Sequence, residues 1–109
     1  MDALDAIRLR HSCRKYQQTA IRQEELDILL QAARAAPVAC GYPDHLCLTV
    51  IQDMTFLENW DRVSAKYLKA SNAHPLYGTQ TIILISAFIC DNVPLANPYL
   101  NAGCMAENI

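Results

Sequence analysis

Glycine is scarce in this chain: 3 residues of 109, alongside 5 prolines. That scarcity excludes a flexible linker or a low-complexity sequence. Aromatic residues make up only 7%, so Leu, Ile, Val and Ala must fill any core. No positive excess exists either, because 9 Lys+Arg stand against 11 Asp+Glu for a formal charge of −2. A general nucleic-acid or acidic-membrane binder normally carries a clear positive surplus. No nucleic-acid partner is therefore expected, and any anion site must be local. Long apolar runs are missing as well. The longest, Ile82 to Cys90, contains Ser86 and falls far short of the roughly 20 residues that span a bilayer. The N-terminus carries Asp2, Asp5, Arg8 and Arg10 and lacks the apolar centre of a secretion signal. No membrane association is expected.

The cysteines, Cys13, Cys40, Cys47, Cys90 and Cys104, are odd in number and irregularly spaced. No C-x-x-C occurs, which excludes a zinc ribbon and a thioredoxin-type site. They read as reduced thiols of a cytoplasmic protein. Cys40, His45 and Cys47 lack a fourth ligand, so no metal is expected. Cys47 is placed in the core and Cys13 is read as a packed small apolar residue, although beside Arg14 its thiol could react. No Ser-His-Asp order, P-loop or G-x-G-x-x-G is present.

What is present is a hydrophobic fraction of 52%, enough for one core, and a length that allows a single domain, residues 1–109. Ala3, Leu4 and Ile7 give residues 2 to 9 one apolar side at helical spacing. A second helix is predicted from about Gln23 to Ala36 on Leu26, Leu29, Leu30 and Ala33, with Glu24 and Glu25 in its first turn, Arg34 in its last, and Pro37 ending it. Leu46 to Ile51 reads as a buried strand. Asp53 caps a third helix through about Ala70, whose buried stripe is expected at Phe56, Trp60, Val63 and Tyr67. A loop over residues 71–78 contains His74. Thr81 to Ile89 reads as a second strand, and a fourth helix starts at about Tyr99 or Asn101. That helix is still running at Ile109. Two strands are a marginal sheet, so the expectation is part of a larger fold, or one completed by dimerisation.

Arg10, His11, Ser12 and Arg14 fall in a polar turn after the first helix. Two guanidiniums, a hydroxyl and an imidazole are what a phosphate monoester requires. On chemistry alone the favoured reading is a solvated helix terminus whose cations offset the dipole, because short basic runs are common on surfaces.

The order of motifs resembles the nitroreductase family. The stretch Ala-Ile-Arg-Leu-Arg-His-Ser-Cys-Arg-Lys-Tyr, residues 6–16, is similar to the family's opening. Glu24 to Pro37 resembles its second helix, which ends in Ala-Pro, and Leu46 to Asp53 the strand that follows. Leu76-Tyr77-Gly78-Thr79-Gln80-Thr81 and the apolar run after it are similar to its Tyr-Gly-Ala-Pro-Thr and strand. Asn101 to Ile109 resembles the start of its central helix. The resemblance implies an α/β (α+β) fold, a mixed sheet flanked by helices, with the family's C-terminal part absent. It also implies a homodimer with FMN at the interface. Arg10, His11, Ser12 and Arg14 would then hold the flavin phosphate and edge, and Asn72 would supply a polar flavin contact. The implied activity is that of a nitroreductase-type, FMN-dependent flavoprotein oxidoreductase. NAD(P)H (NADH or NADPH) is the co-substrate, and the partner is a small-molecule electron acceptor such as a nitro compound or quinone. No catalytic side chain is implied, since the flavin carries the chemistry. One departure is the loop Val38 to His45, which lacks the family's Asn-x-Gln-Pro-Trp; Tyr42 could stack on a ring there. With that loop altered and the C-terminal part absent, the alternative is a truncated or degenerate relative acting as a flavin-binding or structural dimeric module.

Overall fold

The computed structural model describes residues 2–39, 45–89, 91, 94 and 96–109. The elements are α1 (Ala3–Leu9), α2 (Gln23–Arg34), β1 (Leu46–Ile51), α3 (Met54–Tyr67), β2 (Ile82–Ala87) and α4 (Ala96–Asn108). The α/β class expected from the sequence is what the chain adopts: among the described residues, four helices and a two-stranded antiparallel sheet.

The first three helices start for a local reason. Asp2 caps α1 by accepting from the Asp5 N–H at 2.8 Å, and Asp53 caps α3 by accepting from the Phe56 N–H at 2.8 Å, each satisfying a helix donor that has no partner within the helix. At α2 the Glu25 carboxylate reaches back to the Arg22 N–H at 3.2 Å, the reciprocal half of a capping box, and also pairs with its guanidinium at 2.7 Å. α3 ends in a Schellman motif: Ala70 N–H donates to the Ala65 carbonyl and Lys69 N–H to that of Lys66, with Lys69 in the left-handed region at φ 55 where glycine is usual.

β1 and β2 pair from Leu46↔Ala87 to Ile51↔Ile82. Leu46, Leu48 and Val50 face inward with Ile83 and Ile85, while Cys47, Thr49, Leu84 and Ser86 face out. β1 is thus covered on one face only, and Cys47 is exposed rather than in the core. The side-chain alternation of a strand with one covered face puts every second residue in solvent. The core lies where α2 and α4 cross the inner face: Ala33, Ala36 and Met105 are buried, with Leu46, Leu48, Ile85 and Cys104 packed against them. Alanines on α2 let α4 approach closely, and Asn108 Nδ2 donates to the Ala32 carbonyl at 3.0 Å.

Two elements depart from the sequence reading. The inner face of α3 is not Phe56, Trp60, Val63 and Tyr67. Leu57 and Ala65 are the buried residues, with Trp60, Asp61 and Ser64 half-buried between them, while Phe56, Val63 and Tyr67 are exposed. The helix is rotated because its inner side faces the loop 71–78, whose backbone needs a hydrogen-bond acceptor that Asp61 provides. α4 begins at Ala96, earlier than expected, because Pro98 sits in its first turn, where no intrahelical N–H is needed. α1 buries no residue at all; Leu4, Ile7 and Leu9 are all exposed. The radius of gyration, 15.9 Å, exceeds the roughly 13 Å of a compact domain of about this length, as a thin sheet and an uncovered first helix require.

Candidate functional site

The residues singled out for phosphate binding sit on an extended segment that leaves α1. Arg10 is the C-cap, its N–H still bonded to the Ala6 carbonyl at 3.1 Å and its backbone already turned out of the helix at φ −56, ψ 129. From there the chain runs without helix or strand to α2. Arg10, His11, Ser12 and Arg14 are all exposed. Among the described residues, the Arg10 and Arg14 guanidiniums have no ion pair and the Ser12 hydroxyl no hydrogen bond. His11 differs: its Nδ1 lies 3.2 Å from the Leu9 carbonyl. A carbonyl only accepts, so Nδ1 carries the proton and Nε2 can donate to an anion only from the protonated ring. Cys13 is exposed, not packed; its thiol donates to the Lys15 carbonyl at 3.2 Å. Tyr16 Oη closes the turn by donating to the Cys13 carbonyl at 3.1 Å.

Asn72 lies in the loop between α3 and β2, exposed, with no hydrogen bond to the 10–14 cluster among the described residues. The two parts are nonetheless joined indirectly. Gln18 Nε2 donates to the Gly78 carbonyl at 3.4 Å, tying the segment that carries the cluster to the end of the loop that carries Asn72. Tyr77 and Gly78 are both left-handed, at φ 53 and 67. That geometry turns the Gly78 carbonyl toward Gln18, and glycine adopts it without the steric cost a Cβ brings.

Asp61 was not foreseen as a site residue. Its Oδ1 accepts from the Leu76 N–H at 2.8 Å and its Oδ2 from His74 Nδ1 at 2.9 Å. Burial pushes the Asp61 carboxyl up, but the Leu76 N–H and then His74 outweigh it and hold the group below the usual carboxylate range. The available signal was the spacing Leu57, Asp61, Ala65, one acid at i+4 on an otherwise apolar stripe. Leu57, Asp61, His74, Leu76 and Tyr77, with Gln18, line an open groove of about 560 Å³.

Asn101 was likewise missed as a buried group. It is 8% exposed, and its Oδ1 accepts from the Ala39 N–H at 2.9 Å, fixing the start of the connection from α2 to β1. Tyr42 and Cys40, named above for ring stacking and metal binding, lie outside the described residues. Among the described residues no group of three or more His, Cys, Asp or Glu could hold a metal ion, and no helix is long and apolar enough to cross a membrane.

Solved structures share this fold. An FMN-dependent nitroreductase from Clostridium difficile R20291 superposes with a TM-score of 0.77 at 27% identity, covering 96% of this chain and 51% of that one. A nitroreductase with bound FMN from Bacteroides fragilis gives 0.76 at 20%, covering 96% and 60%. A putative NADH dehydrogenase/NAD(P)H nitroreductase from Bacteroides thetaiotaomicron gives 0.73 at 24%, covering 97% and 57%. The chain thus spans between about half and three fifths of the length of these relatives. No curated protein matches the sequence. The sequence itself matches the Nitroreductase family over residues 7–109: this chain belongs to the nitroreductase family.

Proposed function

We propose that the chain is the FMN-binding part of a flavin-dependent oxidoreductase of the nitroreductase type. One observation carries this reading: on the segment from Arg10 to Arg14, two guanidiniums and a hydroxyl have no partner among the described residues, in a chain of net negative charge. An unpaired pair of arginines on one short extended segment is suited to a phosphate dianion, which accepts charge-assisted hydrogen bonds from both.

Arg10 and Arg14 would hold the phosphate by charge and Ser12 by a neutral O–H donor. His11, anchored through Nδ1, would add a donor at Nε2 when protonated. Asn72 would offer its amide to the polar edge of the ring, and the Gln18–Gly78 link would set the spacing between ring and phosphate contacts. Bound FMN would supply hydride transfer, accepting from NAD(P)H and passing reducing equivalents to a nitro compound, quinone or similar acceptor. The side chains here bind and orient; none is assigned an acid or base role. The exposed Leu4, Ile7 and Leu9 of α1 suit a homodimer contact that would place this segment against a second chain.

Titration with FMN, followed by the flavin absorption band and fluorescence quenching, tests the reading. Binding that Arg10→Ala weakens supports it. A chain that leaves the flavin fluorescence unquenched, and is colourless once unbound FMN is removed, overturns it.

A second reading is a flavin-binding or structural dimeric module without turnover. It is favoured by the exposure of every donor in the cluster and by the lack of any burial along α1, which leaves the phosphate contacts open to solvent. Oxidation of NAD(P)H in the presence of FMN and a quinone separates the two: turnover supports the first, and binding without turnover the second.

A further inference from the structure

We propose that Asp61 is the positioning residue of this cofactor site, locking the loop that carries Asn72 and, through that loop, setting where the phosphate-binding segment lies. The inference rests on the FMN reading above.

The connection can be followed atom by atom. Asp61 stands on the inner face of α3, its side chain 18% exposed. Its two oxygens hold the loop at two points, Leu76 N–H at 2.8 Å and His74 Nδ1 at 2.9 Å. The loop is then tightened by its own backbone: Tyr77 N–H donates to the His74 carbonyl at 2.9 Å and Thr79 N–H to that of Leu76 at 3.0 Å. These turns fix Gly78, whose carbonyl accepts from Gln18 at 3.4 Å. Gln18 follows the 10–14 cluster on the same extended segment. Two stretches of sequence about sixty residues apart are thus referred to one carboxylate.

No apolar side chain could do this. Leu76 N–H sits in a part-buried position and would be left without an acceptor, a loss that a loop avoids by opening to water. Opening releases Gly78 from its left-handed turn, and with it the acceptor that Gln18 uses. His74 contributes less, because its ring is 81% exposed and water can replace its bond.

The test compares Asp61→Ala, Asp61→Asn and His74→Ala in the full chain. Two readouts are used: NMR of the Leu76 amide and the Gln18 side-chain amide, and FMN affinity by fluorescence quenching. Asp61→Ala is expected to lose protection from hydrogen exchange at Leu76, shift the Gln18 side-chain signal and weaken FMN binding about tenfold, one hydrogen bond's worth of affinity. Asp61→Asn keeps an oxygen for Leu76 and should restore both within about threefold, a rescue that general destabilisation does not predict. His74→Ala should change affinity less than Asp61→Ala. If Asp61→Ala does not fold, the graded order of Asp61→Asn and His74→Ala, with Leu76 protection retained in both, carries the decision. An unchanged Gln18 signal once Leu76 is released overturns the coupling. Unchanged FMN affinity in Asp61→Ala overturns the positioning role. A wild-type chain that binds no FMN removes the functional reading instead, and the Gln18 response still decides whether Asp61 sets the segment.

Discussion

Asn101 on α4 reaches across the core to the backbone of Ala39, its Oδ1 accepting that N–H at 2.9 Å. The asparagine is 8% exposed, so replacing it leaves an amide donor with little water to turn to. Asn101→Leu should lower stability by about 1–3 kcal/mol, measured by urea denaturation. Asn101→Asp, which keeps both the acceptor and the volume, should lower it less; equal losses would mean that accepting the Ala39 N–H is not what Asn101 contributes.

Leu57 is 3% exposed and anchors α3. Leu57→Ala should cost about 2–3 kcal/mol, the cost of removing buried methyl groups and leaving a cavity. Phe56→Ala, one residue earlier on the outer face at 53% exposure, should stay within about 0.5 kcal/mol. Thermal melts of the pair test which face of α3 is inside.

Lys69 occupies the left-handed position that ends α3. A side chain there costs roughly 1–2 kcal/mol relative to the right-handed region, partly offset in glycine by its greater freedom when unfolded. Lys69→Gly should therefore stabilise the chain by about 0.5–1 kcal/mol, while Gly78→Ala should destabilise it; a loss of stability in Lys69→Gly would show that the Lys69 side chain itself matters.

The Asp61 carboxyl titrates below its ordinary value in the folded chain. A group with a depressed folded pKa contributes stability above its unfolded pKa, near 3.9 for aspartate, and loses it as pH falls through the folded value. Wild type should thus exceed Asp61→Asn in stability at about pH 6, with the gap narrowing below about pH 4. A gap that is constant across that range would mean that the charge of Asp61 contributes nothing.

The α2 helix and both strands were legible as elements, because Leu26 and Ala33 repeat on one helical face and Leu46 to Ile51 and Ile82 to Ala87 are apolar runs, but that only Leu46, Leu48 and Val50 of β1 face inward was not. Nor was the inner face of α3, because its sequence offers two stripes. Phe56, Val63 and Tyr67 are the larger apolar residues, yet the stripe with Asp61 is inside, since a loop donor distant in sequence needed that carboxylate. Periodicity weighs hydrophobicity and cannot weigh a hydrogen bond to a residue fifteen positions away. The same holds for Asn101, whose partner is 62 positions back. The basic cluster was visible because its members are adjacent. Cys13 and Cys47 were misplaced because thiols are apolar enough for a core and small enough for a surface, so composition alone does not decide between them.

The sheet leaves one side of each strand without a strand partner among the described residues. Neither Leu46–Ile51 nor Ile82–Ala87 contains a lysine, a proline or any charged residue, the usual guards of an open edge. Such edges accept further strands without discriminating between those of their own chain and those of a neighbour. The protein's solution behaviour should accordingly be set by concentration as much as by temperature. Refolding from denaturant at high concentration should yield soluble protein only where something has already taken up those rows of unpaired amides.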